Sequence, residues 1–404
     1  MTNRSWQRNL YIIFFTEVIM QIGMSFVNPF MPLLVQELGN FNSSRETALW
    51  AGIVTGVSGI AMFLSAPLWG ILADRSGRKP MLLRSIFGTA IVVSLTAFAS
   101  NIYYLVALRF ANGLLSGIKP AIYALVSTTT PREKLPWAMG LISLGTFIGT
   151  TLGPLIGGYL ADKIGFRYTF LTTVAILIIC GLVVIFFAWE KFERPAQVQA
   201  FSLHRIWGLA ISRQMVPILV VEFALQASPQ MVSPIIPLVI KDLDPIGKAA
   251  ATQTGLALGL MGVTAGIAAF VTGRLGGNIS LKKILVVSCL AGALLYLPPL
   301  WAVTVAQLII FVALTGVPKG GLITSASAVV GLSVSQSQQG IGYGIAHSAK
   351  SLGNGVGPLL GGSLGRLIGL KPVFGVAGGL FAIASVLVAR QLTDEPPKKP
   401  QHTW

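Results

Sequence analysis

Long apolar runs recur along the whole chain, each ended by a short polar segment. A helix rising 1.5 Å per residue needs about 20 apolar residues to cross roughly 30 Å of hydrocarbon. The pattern predicts twelve membrane-spanning helices, at 10–37, 48–73, 81–100, 103–128, 137–160 and 168–189, then 214–240, 252–275, 284–299, 304–331, 341–367 and 373–390. The most polar interior stretch, 190–213, carries Glu190, Lys191, Glu193, Arg194, His204, Arg205 and Arg213. The expected organisation is an all-α membrane protein: a six-helix bundle over 1–189, a cytoplasmic linker over 190–213, a second six-helix bundle over 214–390 and a cytoplasmic tail over 391–404.

Polar positions inside the spans break this pattern, and they do so twice. In the first span Glu17, Gln21, Ser25 and Asn28 are spaced to share one helix face. About 205 residues later Glu222, Gln226, Gln230 and Ser233 stand at the matching places, and Pro29 and Pro32 recur as Pro234 and Pro237. A carboxylate in a lipid-spanning helix costs roughly 2.5–3.5 kcal/mol on insertion scales, so it faces protein or a water-filled cavity. Gly149 to Phe170 matches Gly353 to Phe374 at an offset of 204, and SGIKPA around Lys119 parallels TGVPKG around Lys319. The chain therefore reads as a duplication, with pseudo-symmetric halves and a polar site at their seam, the arrangement common in secondary transporters.

Composition agrees with a membrane protein. Mean hydropathy is +0.75 and only 10% of the 404 residues are charged, against about 25% in soluble chains. The net charge of +16 does not point to nucleic acid, because the basic residues sit in short loops between apolar runs. With both termini in the cytoplasm, 18 of the 29 Lys and Arg fall on the cytoplasmic side, 7 on the other side and 4 within spans, the positive-inside bias. The first apolar run is too long for a signal peptide and is interrupted by Glu17, so helix 1 is expected to be retained. Cys180 and Cys289 both lie in apolar runs, which excludes a disulfide framework, and no metal-ligand spacing occurs.

Three segments carry a family resemblance. GILADRSGRKPML, with Gly70, Asp74, Arg75, Gly77, Arg78 and Lys79, resembles the cytoplasmic signature of the major facilitator superfamily. There such a charge network latches one state of the transport cycle. The equivalent loop of the second half, Gly273 to Lys283, has no acidic residue, so a latch of this kind is one-sided. LVALRFANGLLSG resembles the family's R-x-x-x-G motif at Arg109 and Gly113, an arginine linked to proton transfer in proton-driven members. GTFIGTTLGPLIGG, with Gly145, Gly149, Gly153, Pro154, Gly157 and Gly158, resembles the antiporter motif of the drug exporters. Its small residues also suit close helix packing in their own right. NPFMPLL adds the P-x-x-P of the twelve-helix drug:proton antiporters, and the whole chain is similar to the MdtG-like multidrug exporters among them.

This resemblance implies a proton-coupled exporter of small molecules working by alternating access, driven by a proton gradient without a cofactor. It would be a multi-pass protein of the cell membrane, in contact with lipid and expected as a monomer. Counting inward from the span ends places Glu17, Glu222, Lys119, Lys319 and Lys350 at one depth, with His347 one turn from Lys350. Two Glu against three Lys leave this layer net positive. Glu17, Glu222 and Arg109 are the candidates for proton coupling. Lys119, Lys319, Lys350, Gln21, Gln226, Gln230, Asn28 and His347 are the candidates for substrate binding. A net-positive layer is unsuited to lipophilic cations and favours an endogenous anionic or zwitterionic cargo, such as a metal chelator, as the alternative. A symporter or importer is not excluded. A membrane-embedded enzyme would need a nucleophile, acid–base or metal constellation, and none is present.

Overall fold

The computed structural model describes residues 3–131, 134–190, 211, 215–247, 249–275, 279–333 and 339–392. Its described residues form sixteen α-helices that fill twelve spans. Span 1 is α1 (Asn3–Ser25) with α2 (Met31–Gly39), span 2 is α3 (Ser44–Ser76) and span 3 is α4 (Arg78–Thr96). Span 4 is α5 (Ile102–Leu115) with α6 (Ile118–Thr129), span 5 is α7 (Leu135–Ile164) and span 6 is α8 (Phe166–Phe187). In the second half, span 7 is α9 (Met215–Val232) with α10 (Ile236–Leu243), span 8 is α11 (Ala250–Leu275) and span 9 is α12 (Leu281–Leu295). Span 10 is α13 (Val305–Leu314) with α14 (Gly316–Ser333), span 11 is α15 (Gln339–Ile368) and span 12 is α16 (Pro372–Gln391).

The twelve-span organisation stands, with one difference. The apolar pattern predicts unbroken helices, yet spans 1, 4, 7 and 10 are each two helices. Their breaks fall where the sequence offers little helical hydrogen bonding. Pro32 and Pro237 occupy the first turns of α2 and α10, where a missing N–H costs nothing. Gly117, at φ +133°, turns the chain between α5 and α6, a conformation that suits glycine. Proline alone does not decide the matter, since Pro154, Pro229 and Pro358 lie within continuous helices. By length and hydropathy nine of the described helical stretches qualify as membrane spans. Spans 1, 4 and 11 do not, and these carry Glu17, Lys119 and Lys350.

Within the first bundle α1 packs on α7 and α8, α3 on α5, and α4 on α8; in the second, α9 packs on α15 and α16, α11 on α14, and α12 on α16. The bundles meet through two equivalent helix pairs, α3 with α15 and α7 with α11. Glycines line both pairs. A Cβ on Gly59 would lie 2.7 Å from the Gly355 Cα, and one on Gly262 would lie 2.5 Å from the Thr151 hydroxyl. Gly52 and Gly158 press directly on the Pro358 and Ala251 carbonyls. These contacts run from mid-span to the end of the molecule opposite the chain termini. That end is also tied by polar bonds between the bundles. Ser44 Oγ donates to Asp242 Oδ1 (2.6 Å), Lys241 Nζ to Gln36 Oε1 (2.7 Å), and the Thr252 amide and hydroxyl to Asp162 Oδ2 (2.7 and 2.5 Å). The end opposite the termini is closed. Cys180 and Cys289 are buried and unbridged.

Candidate functional site

The polar faces of spans 1 and 7 turn into the protein. Glu17 and Glu222 are each 1% exposed, and each meets the helix that packs on it within its own bundle. Thr146 Oγ1, from α7, donates to Glu17 Oε1 at 2.6 Å. Lys350 Nζ, from α15, lies 3.0 Å from Glu222 Oε2. Thr146 and Lys350 are separated by the same offset of 204 that relates the duplicated segments. One pseudo-symmetric position therefore holds a neutral donor in the first half and a cation in the second.

The glycine stripe of α7 makes this approach possible. A Cβ on Gly149 would lie 2.5 Å from the Gln21 Cβ, and one on Gly153 would lie 2.5 Å from the Ser25 Cβ. Gly145 faces Phe14 and Val18, and Gly157 rests on the backbone of Phe26. The second half repeats the stripe, with Gly353, Gly357 and Gly361 against α9. Among the glycines of the antiporter-like motif, Gly158 is the one that faces the other bundle, at Ala251.

The helix breaks place the two lysines. Lys119 is in the first turn of α6 and Lys319 in the first turn of α14. They interact electrostatically with each other across the seam, and Lys119 also acts on Glu17. Lys119 is exposed and Lys319 half-buried. A mid-span side chain that is exposed yet interacts with the opposite bundle faces a space between the bundles and not lipid. Among the described residues neither lysine has a hydrogen bond or an ion pair within 4.0 Å. Lys319 thus stands near Lys119 and not at Glu222, whose cation is Lys350. His347 Nδ1 lies 3.3 Å from Ser351 Oγ, and its ring interacts electrostatically with Lys350.

Other candidates are placed differently from the expectation. Gln226 and Gln230 spend a donor each on the same acceptor, Asn354 Oδ1, at 2.6 and 2.8 Å. Gln21 donates to Ser25 Oγ at 3.2 Å. Asn28 is exposed in the turn between α1 and α2. Arg109 does not join the Glu17 layer: its Nη2 contacts Met31 Sδ (3.5 Å) at the start of α2, and its Nε is buried with no partner among the described residues. Gly113 packs on the α3 backbone at Ser58.

In the signature loop the side chains of Asp74 and Arg75, and the surroundings of Gly70, lie outside the described residues. Gly77 has φ +98° and caps α4. The Arg78 and Lys79 amides donate to the two carboxylate oxygens of Glu190 at 2.7 and 2.8 Å, and Lys79 Nζ donates to the Ile185 and Ala188 carbonyls at the end of α8. A carboxylate at a helix N-terminus is favoured by the dipole and by the unpaired amides there. Glu190 is a partner that sequence reasoning missed, having assigned it to the linker. Thr146 was missed as well, although the offset of the duplication pairs it with Lys350. At the closed end, a pocket of about 750 Å³ is lined by Gln36, Glu37, Phe41, Asp162, Phe166 and Lys241 among others. None of its lining residues belongs to the charged layer.

Comparison with known proteins covers the chain from end to end. The Major Facilitator Superfamily model matches residues 13–244 and 218–403. Multidrug resistance protein MdtG of Klebsiella pneumoniae (strain 342) is 33% identical over 403 residues, covering 99% of this chain and 98% of that protein. The protein of the same name from Proteus mirabilis (strain HI4320) is 33% identical over 373 residues, covering 92% of each. Among solved structures, a bacterial homolog of the human lysosomal transporter Spinster, inward-facing and occupied, superposes with a TM-score of 0.78 at 13% identity, over 98% of this chain and 100% of that one. A mutant form of the nucleoside transporter NupG superposes with a TM-score of 0.73 at 14% identity, over 95% and 100%.

Proposed function

We propose that this chain, which belongs to the major facilitator superfamily, is a proton-coupled exporter of small molecules that works by alternating access. The name shared by its relatives supports export of the multidrug type. The Lys and Arg bias puts both termini, the 190–213 linker and the 391–404 tail in the cytoplasm, within the cell membrane. The closed end then faces outward. Rocking of the two bundles about the glycine-packed pairs, α3 with α15 and α7 with α11, exchanges access to the central space. Asp74 serves the signature latch, so Asp74→Asn slows the cycle while leaving cargo affinity intact.

The observation that carries the coupling scheme is the inequivalence of the two buried carboxylates. Glu17 accepts from a neutral hydroxyl, whereas Glu222 is held by Lys350. A carboxylate that already neutralises a cation gains little from a proton. One that is bonded to a neutral hydroxyl, with Lys119 acting on it only from beyond ion-pair distance, exchanges charge for proton more readily. Glu17 is accordingly the proton carrier and Glu222 a fixed partner of Lys350. Arg109, near the outward end, acts on the proton path at a distance from the Glu17 layer.

A second reading concerns cargo, and a specific observation favours it. Lys119 and Lys319 approach from opposite bundles with no carboxylate on either, each in the first turn of a half-helix. The positive ends of those half-helices add to the two ammonium groups. This arrangement suits an anionic or zwitterionic cargo bound between the bundles, with His347, Asn28 and the Gln21, Gln226 and Gln230 amides lining the space. Lys119→Gln or Lys319→Gln removes a charge-assisted contact worth roughly 1.5–3 kcal/mol, so anion affinity falls roughly 10- to 150-fold while a cationic dye loses nothing. The deciding assay uses inside-out vesicles with an imposed pH gradient, across cationic dyes and polycarboxylates. Transport of every probe at the same rate with and without the gradient overturns the proton coupling.

A further inference from the structure

We infer that Trp69 and Arg84 are positioning residues for Lys119, acting by bracing the break between α5 and α6. The break frees the Leu114 carbonyl, and the Ser116 carbonyl has no helical donor because Pro120 stands four residues on; in a membrane interior such groups need internal donors. Side chains of α3 and α4 supply them. Trp69 Nε1 donates to the Leu114 carbonyl at 2.6 Å and Arg84 Nη2 to the Ser116 carbonyl at 3.3 Å, while Ser65 Oγ lies 3.5 Å from the Gly113 carbonyl. The Arg84 guanidinium also lies 3.4 Å over the Trp69 ring. Its Nε and Nη1 are buried and have no hydrogen-bond partner among the described residues. The tryptophan face, the Ser116 carbonyl and the neighbouring Ser85 hydroxyl (2.7 Å) hold this cation, and among the described residues no carboxylate does.

The geometry of the break is what aims Lys119. Gly117, at φ +133°, turns the chain beside Arg84 Nη2, and Lys119 follows two residues later in the first turn of α6. The second half has no equivalent brace among the described residues. Ser288 stands at the offset of 204 from Arg84, and the break there receives Thr264 Oγ1 at the Ala313 carbonyl (2.5 Å). Since α3 to α6 belong to one bundle, the brace carries Lys119 rigidly with that bundle while Lys319 moves with the other. The separation of the two ammonium groups then depends on the angle between bundles. Only this last consequence rests on the cargo reading above; the brace itself stands on the hydrogen bonds.

The test uses the full-length protein in inside-out vesicles, with Cys180 and Cys289 replaced by Ser. The reaction rate of K119C with a charged thiol reagent is read in W69F, which keeps an aromatic face and loses the donor, and in R84K, which keeps the charge and loses the planar fork. Loss of one such hydrogen bond shifts the local equilibrium roughly two- to tenfold, so the K119C rate changes by that factor while K319C in the same backgrounds does not. With Lys119 intact, W69F and R84K raise KM for a polycarboxylate several-fold and leave kcat unchanged. If W69F fails to fold, R84K alone carries the reading. An unchanged K119C rate in both W69F and R84K overturns the brace, and so does an equal change at K319C, which would mark general loosening. A changed K119C rate with unaltered polycarboxylate transport keeps the brace and removes the cargo reading.

Discussion

Glu17 and Glu222 are the same residue at equivalent places in a duplicated chain, and their neighbours give them different chemistry. Glu222 neutralises Lys350 at 3.0 Å. Removing one partner of such a pair leaves a poorly solvated charge behind, a loss of about 3–5 kcal/mol for a fully buried pair. Lys350 is 33% exposed, so the expected loss for Glu222→Gln is at or below the lower end of that range. It is read as a fall in Tm in detergent. Adding Lys350→Met to Glu222→Gln should restore most of the Tm, since the uncompensated cation is gone. Glu17→Gln replaces an acceptor with an amide that still accepts from Thr146, so Tm is expected to change little. Its expected defect is functional: pH-driven export is lost and cargo-for-cargo exchange is spared. Retained pH-driven export in Glu17→Gln would show that another group carries the proton.

At the scale of the helix, α7 presents glycines that differ sharply in what surrounds them. Gly149 and Gly153 let α1 approach so closely that an added Cβ would stand 2.5 Å from a neighbouring Cβ. Gly140, on the same helix, has nothing within 4 Å. Gly149→Ala is expected to lose about 1–3 kcal/mol by overpacking and to disturb the Thr146–Glu17 contact. Gly140→Ala is expected to gain about 0.5–1 kcal/mol, because alanine loses less backbone freedom than glycine in a helix. Paired thermal unfolding curves test the contrast, and similar shifts for both would refute the packing argument. Glu190 acts at a helix end in the same way. Glu190→Gln keeps an acceptor at the α4 N-terminus but removes the charge, so the expected loss is about 0.3–1 kcal/mol, smaller at high salt.

For the whole molecule, closure opposite the termini rests on few bonds between bundles. Asp162 takes two donors from Thr252, Asp242 takes Ser44, and Lys241 reaches Gln36. The glycine-lined pairs beneath them are tight and apolar and persist through single polar changes. Asp162→Ala combined with Asp242→Ala is therefore expected to leave the fold intact and to shift the population toward a state open at that end. Spin labels at Asn42 and Ile246, on opposite bundles and exposed, report the shift as a longer distance component. An unchanged distance distribution would mean that the glycine seams alone hold the end shut.

Much of this organisation is written in the residue order itself. Apolar run length determined the spans, because hydrocarbon thickness sets the number of residues a helix needs. The recurrence of Glu17, Gln21, Pro29 and Pro32 at an offset of about 205 revealed the duplication. Carboxylates and lysines within the spans were legible as a candidate site because lipid penalises them. Tertiary structure decided what those side chains meet. Glu17 finds a threonine and Glu222 a lysine only because α7 and α15 dock on α1 and α9 in matching registers. The breaks of spans 1, 4, 7 and 10 were equally hidden, since Pro154, Pro229 and Pro358 stay helical while Gly117 turns the chain. How a broken span satisfies its unpaired carbonyls depends on donors from neighbouring helices. Trp69 and Arg84 provide them across sequence separations of 45 and 32 residues, which no local pattern encodes.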